Sequence, residues 1–328
     1  MAADAGELLY LSQADVEAVA PEPAELVDLV EGALAAVGRG EVAMPPGPAL
    51  EPRPGAFLHP MIAHAAGADQ IGLKWLAGYA DNKSQGLPFL TALIVLNDAA
   101  TGLPIAIMDG DWITAHRTAA ASAVAVRRLV GSGAESLSIF GCGVQARSHA
   151  RVLPVAMPEL RRLLVHHPSI DRAREFAATI EDDLPGVEVR AAKNLEEAVR
   201  CGRVLLSAGP PQPSPKPVVR AEWLAPDVLF VALDFEAYVS PEVVAAMEHV
   251  VTDDAAKLGH FREQGFFASG LPDVSSLGEI VAEAGRPLAD RQGRTLFLSL
   301  GVAAEDVSVA SSVLERARAA GRGVALPR

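Results

Sequence analysis

The sequence predicts an α/β chain: a Rossmann-type doubly wound parallel sheet domain plus an α+β domain. Three observations predict it. From residue 136 onward, short apolar runs alternate with helical segments, the pattern of βαβ units and a parallel sheet. The first of those runs, "SLSIF", leads straight into a glycine-spaced turn, "GCGVQA". Before residue 110 the apolar runs are longer. Two of them, "LTALIVLND" and "LPIAIMD", are joined by "AATG", a short turn that makes an antiparallel hairpin.

Residues 23–38, "PAELVDLVEGALAAVG", space their apolar side chains for a helix that stops at a glycine. "MPPGPALEPRPG" (44–55) is loop or edge strand, because proline cannot donate to a ladder. "AFLHPMIAH", "IGLKWLAGYA" and the two hairpin runs read as strands. A helix begins near Asp111, its expected N-cap, and carries Arg117 among Thr114, Ala115, Thr118, Ala119 and Ala120. A guanidinium cannot lose its proton and rarely goes inside unpaired, so Arg117 needs a partner or a task. Beyond it, strands are expected over 136–140, 163–167, 187–190, 204–208, 228–234, 249–254 and 295–301, with "DRAREFAATI" and "LEEAVR" among the intervening helices. "AAEDVSVASSVLERARAAG" (303–321) closes the pattern as an amphipathic helix. The domains are therefore drawn as 1–125 plus 303–328 for the α+β part and 126–302 for the Rossmann part.

Composition narrows the function. Among 328 residues, 28 are Lys or Arg and 41 are Asp or Glu, a net charge of −13. A surface that acidic disfavours nucleic acid and anionic membrane as partners. Two cysteines, Cys142 and Cys201, are too few for a disulfide framework and give no metal-ligand spacing, so no metal is expected. The N-terminal stretch is acidic and lacks the apolar core of a signal peptide. No window approaches the roughly eighteen apolar residues of a membrane span. A cytoplasmic protein is the expectation.

The turn "SIFGCGVQARSHA" places Gly141, Gly143 and Ala146 in the G-x-G-x-x-A pattern, after a strand and opening a helix. The first glycine permits the tight turn, the second lets backbone approach a pyrophosphate, and the small third residue lets helix and strand pack closely. Helix N–H groups and dipole favour the anion. Gly141, Gly143, Val144, Gln145 and Ala146 are accordingly candidate cofactor-binding residues; the alternative is a glycine-rich turn of another α/β fold. The next strand ends in "VHHPSIDR", with His167 where a ribose-binding carboxylate would stand. Ser169 and Arg172 could face a 2′-phosphate instead, which tips NAD or NADP toward NADP, although the histidines also suit a half-exposed strand end.

Taken together, these pieces resemble the ornithine cyclodeaminase and mu-crystallin family. The matching segments are "GLKWLAGYADN", "NDAATGLPIAIMDGDWITAHRTAAASAVA", "GCGVQARSH", "VALD" and "LSLGVAAEDV", in family order over about residues 25–320. The resemblance implies a homodimer of two-domain subunits, in which the α+β domain holds substrate and dimerises and a Rossmann domain holds NAD(H) or NADP(H). It implies hydride transfer at the Cα–N bond of a small carboxylate-bearing amino or imino acid, by an imino acid or ketimine reductase or an amino-acid dehydrogenase. Two alternatives stay open: a cyclodeaminase that releases ammonia from a diamino acid and recycles its NAD, and a noncatalytic NADPH-dependent binding protein.

Carried over by position, Lys74 and Arg117 hold the substrate carboxylate, and Asp234 acts as acid or base near the α-nitrogen. The residues themselves agree. Lys74 sits mid-strand between Leu73 and Trp75, Arg117 has the planar fork suited to a carboxylate, and Asp234 ends the apolar run "VLFVAL". Their bland alternatives are a solvated edge-strand lysine, an ion pair with an acid such as Asp109, and a helix or turn cap. Ser207, in "LLSAGPP", matches a small turn under the nicotinamide ribose. Gly301 and Asp306 match family positions expected to be structural, and Asp253 and Asp254 match an acidic pair without an assigned role.

The sequence also departs from the cyclodeaminases. Their further carboxylate-binding arginine would fall near Gly47 and Pro48, where there is none; Arg53 is the nearest, and reads as a solvated loop arginine. The acid for the distal amine corresponds to His59, and the substrate-site threonine to Phe89, with Thr91 two residues on and on the same face. His59 and Thr91 are kept as candidate substrate contacts, with His59 also readable as a core or surface residue. A distal ammonium wants a carboxylate, so ornithine fits poorly.

Overall fold

A computed structural model describes residues 7–45, 49–131, 133–209, 217–283 and 293–327; Gly47 and Pro48 lie outside the described residues. In chain order the elements are β1 (Glu7–Leu11), α1 (Gln13–Ala18), α2 (Pro23–Gly38), β2 (Val42–Ala43), β3 (Leu50–Arg53), β4 (Ala56–Ala65), β5 (Gln70–Tyr79), β6 (Leu90–Asn97), β7 (Pro104–Asp109) and α3 (Asp111–Leu129). There follow β8 (Ser136–Phe140), α4 (Val144–Val152), β9 (Arg162–His166), α5 (Ile170–Glu181), β10 (Glu188–Ala191), α6 (Leu195–Cys201), β11 (Val204–Ser207), β12 (Leu229–Ala232), α7 (Pro241–Ala245) and β13 (His249–Thr252). The last are α8 (Ala255–Glu263), β14 (Val274–Ser276), α9 (Leu277–Ala282), β15 (Thr295–Leu298), α10 (Ala303–Ala320) and β16 (Val324–Pro327). The chain divides into two compact units, Met1–Arg117 with Val302–Arg328, and Thr118–Gly301. The first division falls inside α3, earlier than the 125/126 boundary read from sequence.

The first unit is built on one sheet in the order β16-β1-β7-β6-β5-β4-β2, with β3 paired to β4. The hairpin expected at 99–102 joins β6 to β7 antiparallel. Helix α10 packs on α2 and across β4, β5 and β6, and this covers one face of the sheet. Directly opposed residues Met61, Lys74, Ile94 and Met108 point to that face, and all are buried. The other face carries a row running Ile62, Leu73, Val95, Ile107, Tyr10 and Val324 across six strands, beside Trp75 and Leu93. These side chains are half-buried or exposed. Alternation thus puts apolar residues on both faces, and only one is covered by this chain's own helices.

The second unit has a parallel sheet ordered β10-β9-β8-β11-β12-β15-β13-β14. Strands β11, β12 and β15 bury every residue, which is why they read as continuous apolar runs without alternation. Strand order reverses between β8 and β11, and ligands of open α/β sheets bind beyond the strand ends at such a reversal. The acidic pair acquires roles here. The fully buried Asp253 accepts N–H groups from Leu300 and Gly301, and Asp254 caps α8 by accepting from Lys257 N.

Helix α3 opens differently from expectation. Asp111 is its first residue, not its cap. Its carboxylate accepts the Ala92 N–H at 2.7 Å, while Asp109 accepts the Asp111 N–H at 2.9 Å. Asp109 is therefore engaged locally, by the Asp111 N–H.

Candidate active site

Lys74 stands mid-way along β5 on the helix-covered face, fully buried, and its Nζ donates to Asp306 Oδ1 at 2.7 Å. The same oxygen lies 2.9 Å from Arg117 Nε, and Arg117 Nη1 donates to Glu305 Oε2 at 2.8 Å. Two cations from β5 and α3 thus meet two adjacent carboxylates from the first turn of α10. Helix N-termini favour such acids, so the cluster is matched in charge and in dipole. Sequence reasoning brought Lys74 and Arg117 together and gave Asp306 only a structural place; Glu305 it missed. The available signal was two consecutive acids inside the apolar stretch "VAAEDVSVA", which pass for ordinary first-turn acids. The edge-strand alternative for Lys74 is overturned by its burial.

The glycine turn follows β8. Gly141 has φ +123°, and a Cβ there would stand 2.5 Å from the Ala208 carbonyl oxygen, so only glycine fits. Gly143 caps α4, and a Cβ there would meet nothing within 4 Å, which leaves open space over the helix N-terminus. Val144, the first residue of α4, is exposed, whereas Ala146 is fully buried beneath the helix. Gln145 Oε1 and His166 Nδ1 are buried polar atoms with no hydrogen-bond partner among the described residues. Such orphans, with the open cradle at Gly143, fit a nucleotide in this turn.

At the end of β9 the His167 ring accepts the Ser169 N–H at 3.0 Å, and Ser169 Oγ caps α5 by accepting from Arg172 N. A cavity of about 200 Å³ beside the glycine turn is lined by Cys142, Arg147, Arg172, Glu175, Phe176 and Thr179. Burial pushes the Cys142 thiol above its ordinary range.

Asp234 follows β12 and is 3% exposed. Ser207 Oγ, fully buried at the end of β11, donates to its Oδ1 at 2.6 Å, and Gly209 N donates to Oδ2 at 2.8 Å. No cation pairs with it among the described residues. Desolvation therefore outweighs the two donors and raises its carboxyl to about 6. Tyr238 is pushed up to about 12 by burial, and further by Asp234 and Cys142. The residue after Asp234, Phe235, takes φ +55°, uncommon for a side chain, with its ring packed on Phe261 and Phe266. Backbone strain next to a buried carboxyl is characteristic of functional sites. The Ser207 hydroxyl donates to Asp234, and the Asp234 side chain is no helix or turn cap: its oxygens accept from Ser207 and Gly209.

The remaining candidates separate. His59 opposes Leu76, on the Lys74 face of the sheet and half-buried. Thr91 opposes Ala77, with Trp75 and Leu93, on the other face and exposed. The structure therefore does not bring Thr91 to Lys74; the parity shared with Phe89 was right, but strand register puts that parity on the far side. Arg53 is exposed on β3, its guanidinium 5.7 Å from the Tyr79 ring centroid.

The description "Ornithine cyclodeaminase/mu-crystallin family" belongs to a family model that matches residues 7–321. The chain belongs to that family. Within it, the alanine dehydrogenase of Archaeoglobus fulgidus is 31% identical over 319 residues, 95% of this chain and 95% of its own. A Thermococcus litoralis Δ1-pyrroline-2-carboxylate reductase, solved with NADH and L-proline, is 27% identical with a TM-score of 0.85, covering 97% of this chain and 99% of the other. An archaeal alanine dehydrogenase dimer with bound NAD is 28% identical with a TM-score of 0.83, over 98% and 99%. No helix among the described residues is long and apolar enough to cross a membrane.

Proposed function

We propose that this protein is an NAD(P)-dependent oxidoreductase acting at the Cα–N bond of a small α-amino or imino acid. The observation that carries this reading is Asp234, a buried carboxyl raised to about 6 beside the strand-order reversal where the glycine turn lies. A group titrating there can give or take a proton near neutral pH. Lys74 and Arg117 hold the substrate carboxylate, with Asp306 and Glu305 fixing the two cations. A nucleotide held at Gly141, Gly143, Val144 and Gln145, with the buried Ala146 letting helix and strand pack beneath it, supplies the hydride when bound. In the reductive direction, Asp234 gives its proton to the nitrogen as the C=N electron pair moves there, and the acid is left as carboxylate.

The row beside Lys74 on its face of the sheet is His59, Leu76 and Ala92, so His59 stands at the position of the cyclodeaminase acid, while Asp111, Glu305 and Asp306 are engaged with Ala92 N, Arg117 and Lys74. That favours a substrate with an uncharged side chain over a diamino acid. We infer NADP ahead of NAD, because Arg147 and Arg172 line the cavity at the glycine turn and β9 ends without a carboxylate. We also infer a homodimer paired through the open apolar face of the first sheet. Contiguous exposed apolar surface marks an interaction site, and a dimer is named among the similar solved structures. Both cysteines are free, which suits a reducing compartment such as the cytoplasm.

Lys74→Ala and Asp234→Asn should abolish turnover of NAD(P)H with a cyclic imino acid while leaving nucleotide binding intact; near-normal rates in either variant would overturn these roles. Ammonia release from a diamino acid without net cofactor change would favour the lyase. Trp75→Glu should shift the light-scattering mass from dimer to monomer.

A further inference from the structure

The hydroxyl of Ser207 is spent on one atom. It is fully buried at the end of β11, and it donates its single proton to Asp234 Oδ1 at 2.6 Å. The second oxygen, Oδ2, has a different companion: the Gly209 backbone N–H at 2.8 Å. Gly209 also underlies Tyr238, since a Cβ at that position would stand 2.9 Å from Tyr238 Cε2 and 3.1 Å from Asp234 Oδ2. The carboxyl is thus gripped on both oxygens, by the last residue of β11 and by the backbone just beyond it.

We propose that Ser207 is a positioning residue for Asp234, committing Oδ1 to the protein interior and leaving Oδ2 as the oxygen that exchanges a proton with the substrate nitrogen. This rests on the reading of Asp234 as proton donor. A neutral acid with its proton on Oδ1 would set two O–H groups against each other at 2.6 Å, and the serine would have to turn away inside a fully buried site. With the proton on Oδ2, Oδ1 stays a carbonyl-like acceptor and the Ser207 bond survives both protonation states. The Gly209 N–H donates to a lone pair that Oδ2 keeps even when it carries the proton, so it fixes the direction of Oδ2 in both states while favouring the anion. On transfer the Oδ2–H bond breaks, an N–H bond forms, and the carboxylate left behind keeps both donors.

The test is Ser207→Ala in the full chain, with Δ1-pyrroline-2-carboxylate as the substrate probe and both NADPH and NADH as cofactor probes. Loss of a donor to the anion should move the alkaline limb of the kcat profile upward by about one pH unit and lower kcat by roughly tenfold. The dissociation constant for either cofactor, read by fluorescence, should stay within about twofold. Ser207→Thr, which keeps a hydroxyl, should restore the limb and guards against a folding artefact. An unmoved limb with cofactor binding weakened about tenfold would make Ser207 a ribose contact and overturn the proposal. Retained turnover in Asp234→Asn would instead remove the reading on which it rests.

Discussion

Lys74 is fully buried and ends 2.7 Å from a carboxylate oxygen; Asp234 is 3% exposed and ends on a hydroxyl and an amide. The first unit matches its charges, with two cations against two anions. The second leaves one acid without a counter-ion among the described residues. Burying a charge is tolerated when it is paired, and otherwise the group shifts toward its neutral form. Lys74 and Arg117 are accordingly permanent features of their unit, suited to holding a substrate anion in a fixed place. Asp234 is a group whose charge is poised to change, suited to moving a proton. Removing a charge should therefore have opposite effects on stability in the two units.

The largest effect is expected at Asp306, whose Oδ1 serves both cations. Asp306→Asn leaves Lys74 and Arg117 short of one counter-charge in a buried site, and should cost about 3–5 kcal/mol in urea unfolding. Adding Lys74→Met to it should recover part of that loss, because the double variant restores the charge match. If the double variant is simply the sum of the singles, the pairing is not what stabilises the unit.

Asp234→Asn should act in the reverse sense. The carboxyl is near 3.8 unfolded and about 6 folded. Its folded pKa is raised, so the wild type is favoured while the folded acid keeps its proton, and it loses stability as pH rises from about 4 through 6. The loss is about 3 kcal/mol above pH 7, from the shift in linkage. The asparagine variant has no such loss and should be more stable than wild type at pH 8, with little difference at pH 4. A flat difference across that range, in thermal melts at fixed ionic strength, would mean Asp234 is compensated after all.

The two regions also differ in how much the sequence disclosed. The second unit's strands, short half-buried β14 apart, were legible because a parallel sheet buried on both faces leaves continuous apolar runs, and the glycine turn because Gly141 has no alternative at φ +123°. Lys74, Arg117 and Asp234 stood out as charges in apolar company. Their partners did not. Glu305 and Asp306 look like common first-turn acids, and Ser207 like a small residue ending a strand; contacts spanning 232 and 27 residues have no local trace. β1 and the edge strand β16 escaped because their pairing is set by neighbours. Thr91 was misplaced for a related reason: parity along one strand is readable, but which face it shares with Lys74 depends on register across two.

The smallest effect is the most diagnostic. Arg117→Lys keeps the count of two cations and two anions, but a lysine is a compact point charge and cannot span both acids as Nε and Nη1 do. It should keep one contact and lose the other, at about 1–2 kcal/mol in urea unfolding. Arg117→Met removes the charge and should approach the cost of Asp306→Asn. If lysine proves as damaging as methionine, fork geometry rather than charge balance holds the first unit's cluster together, and the contrast with Asp234 reduces to hydrogen-bond geometry. If lysine is nearly neutral to stability yet raises KM for the imino acid without moving the NADH dissociation constant, the two roles of Arg117 separate: its charge serves the fold and its fork serves the substrate carboxylate.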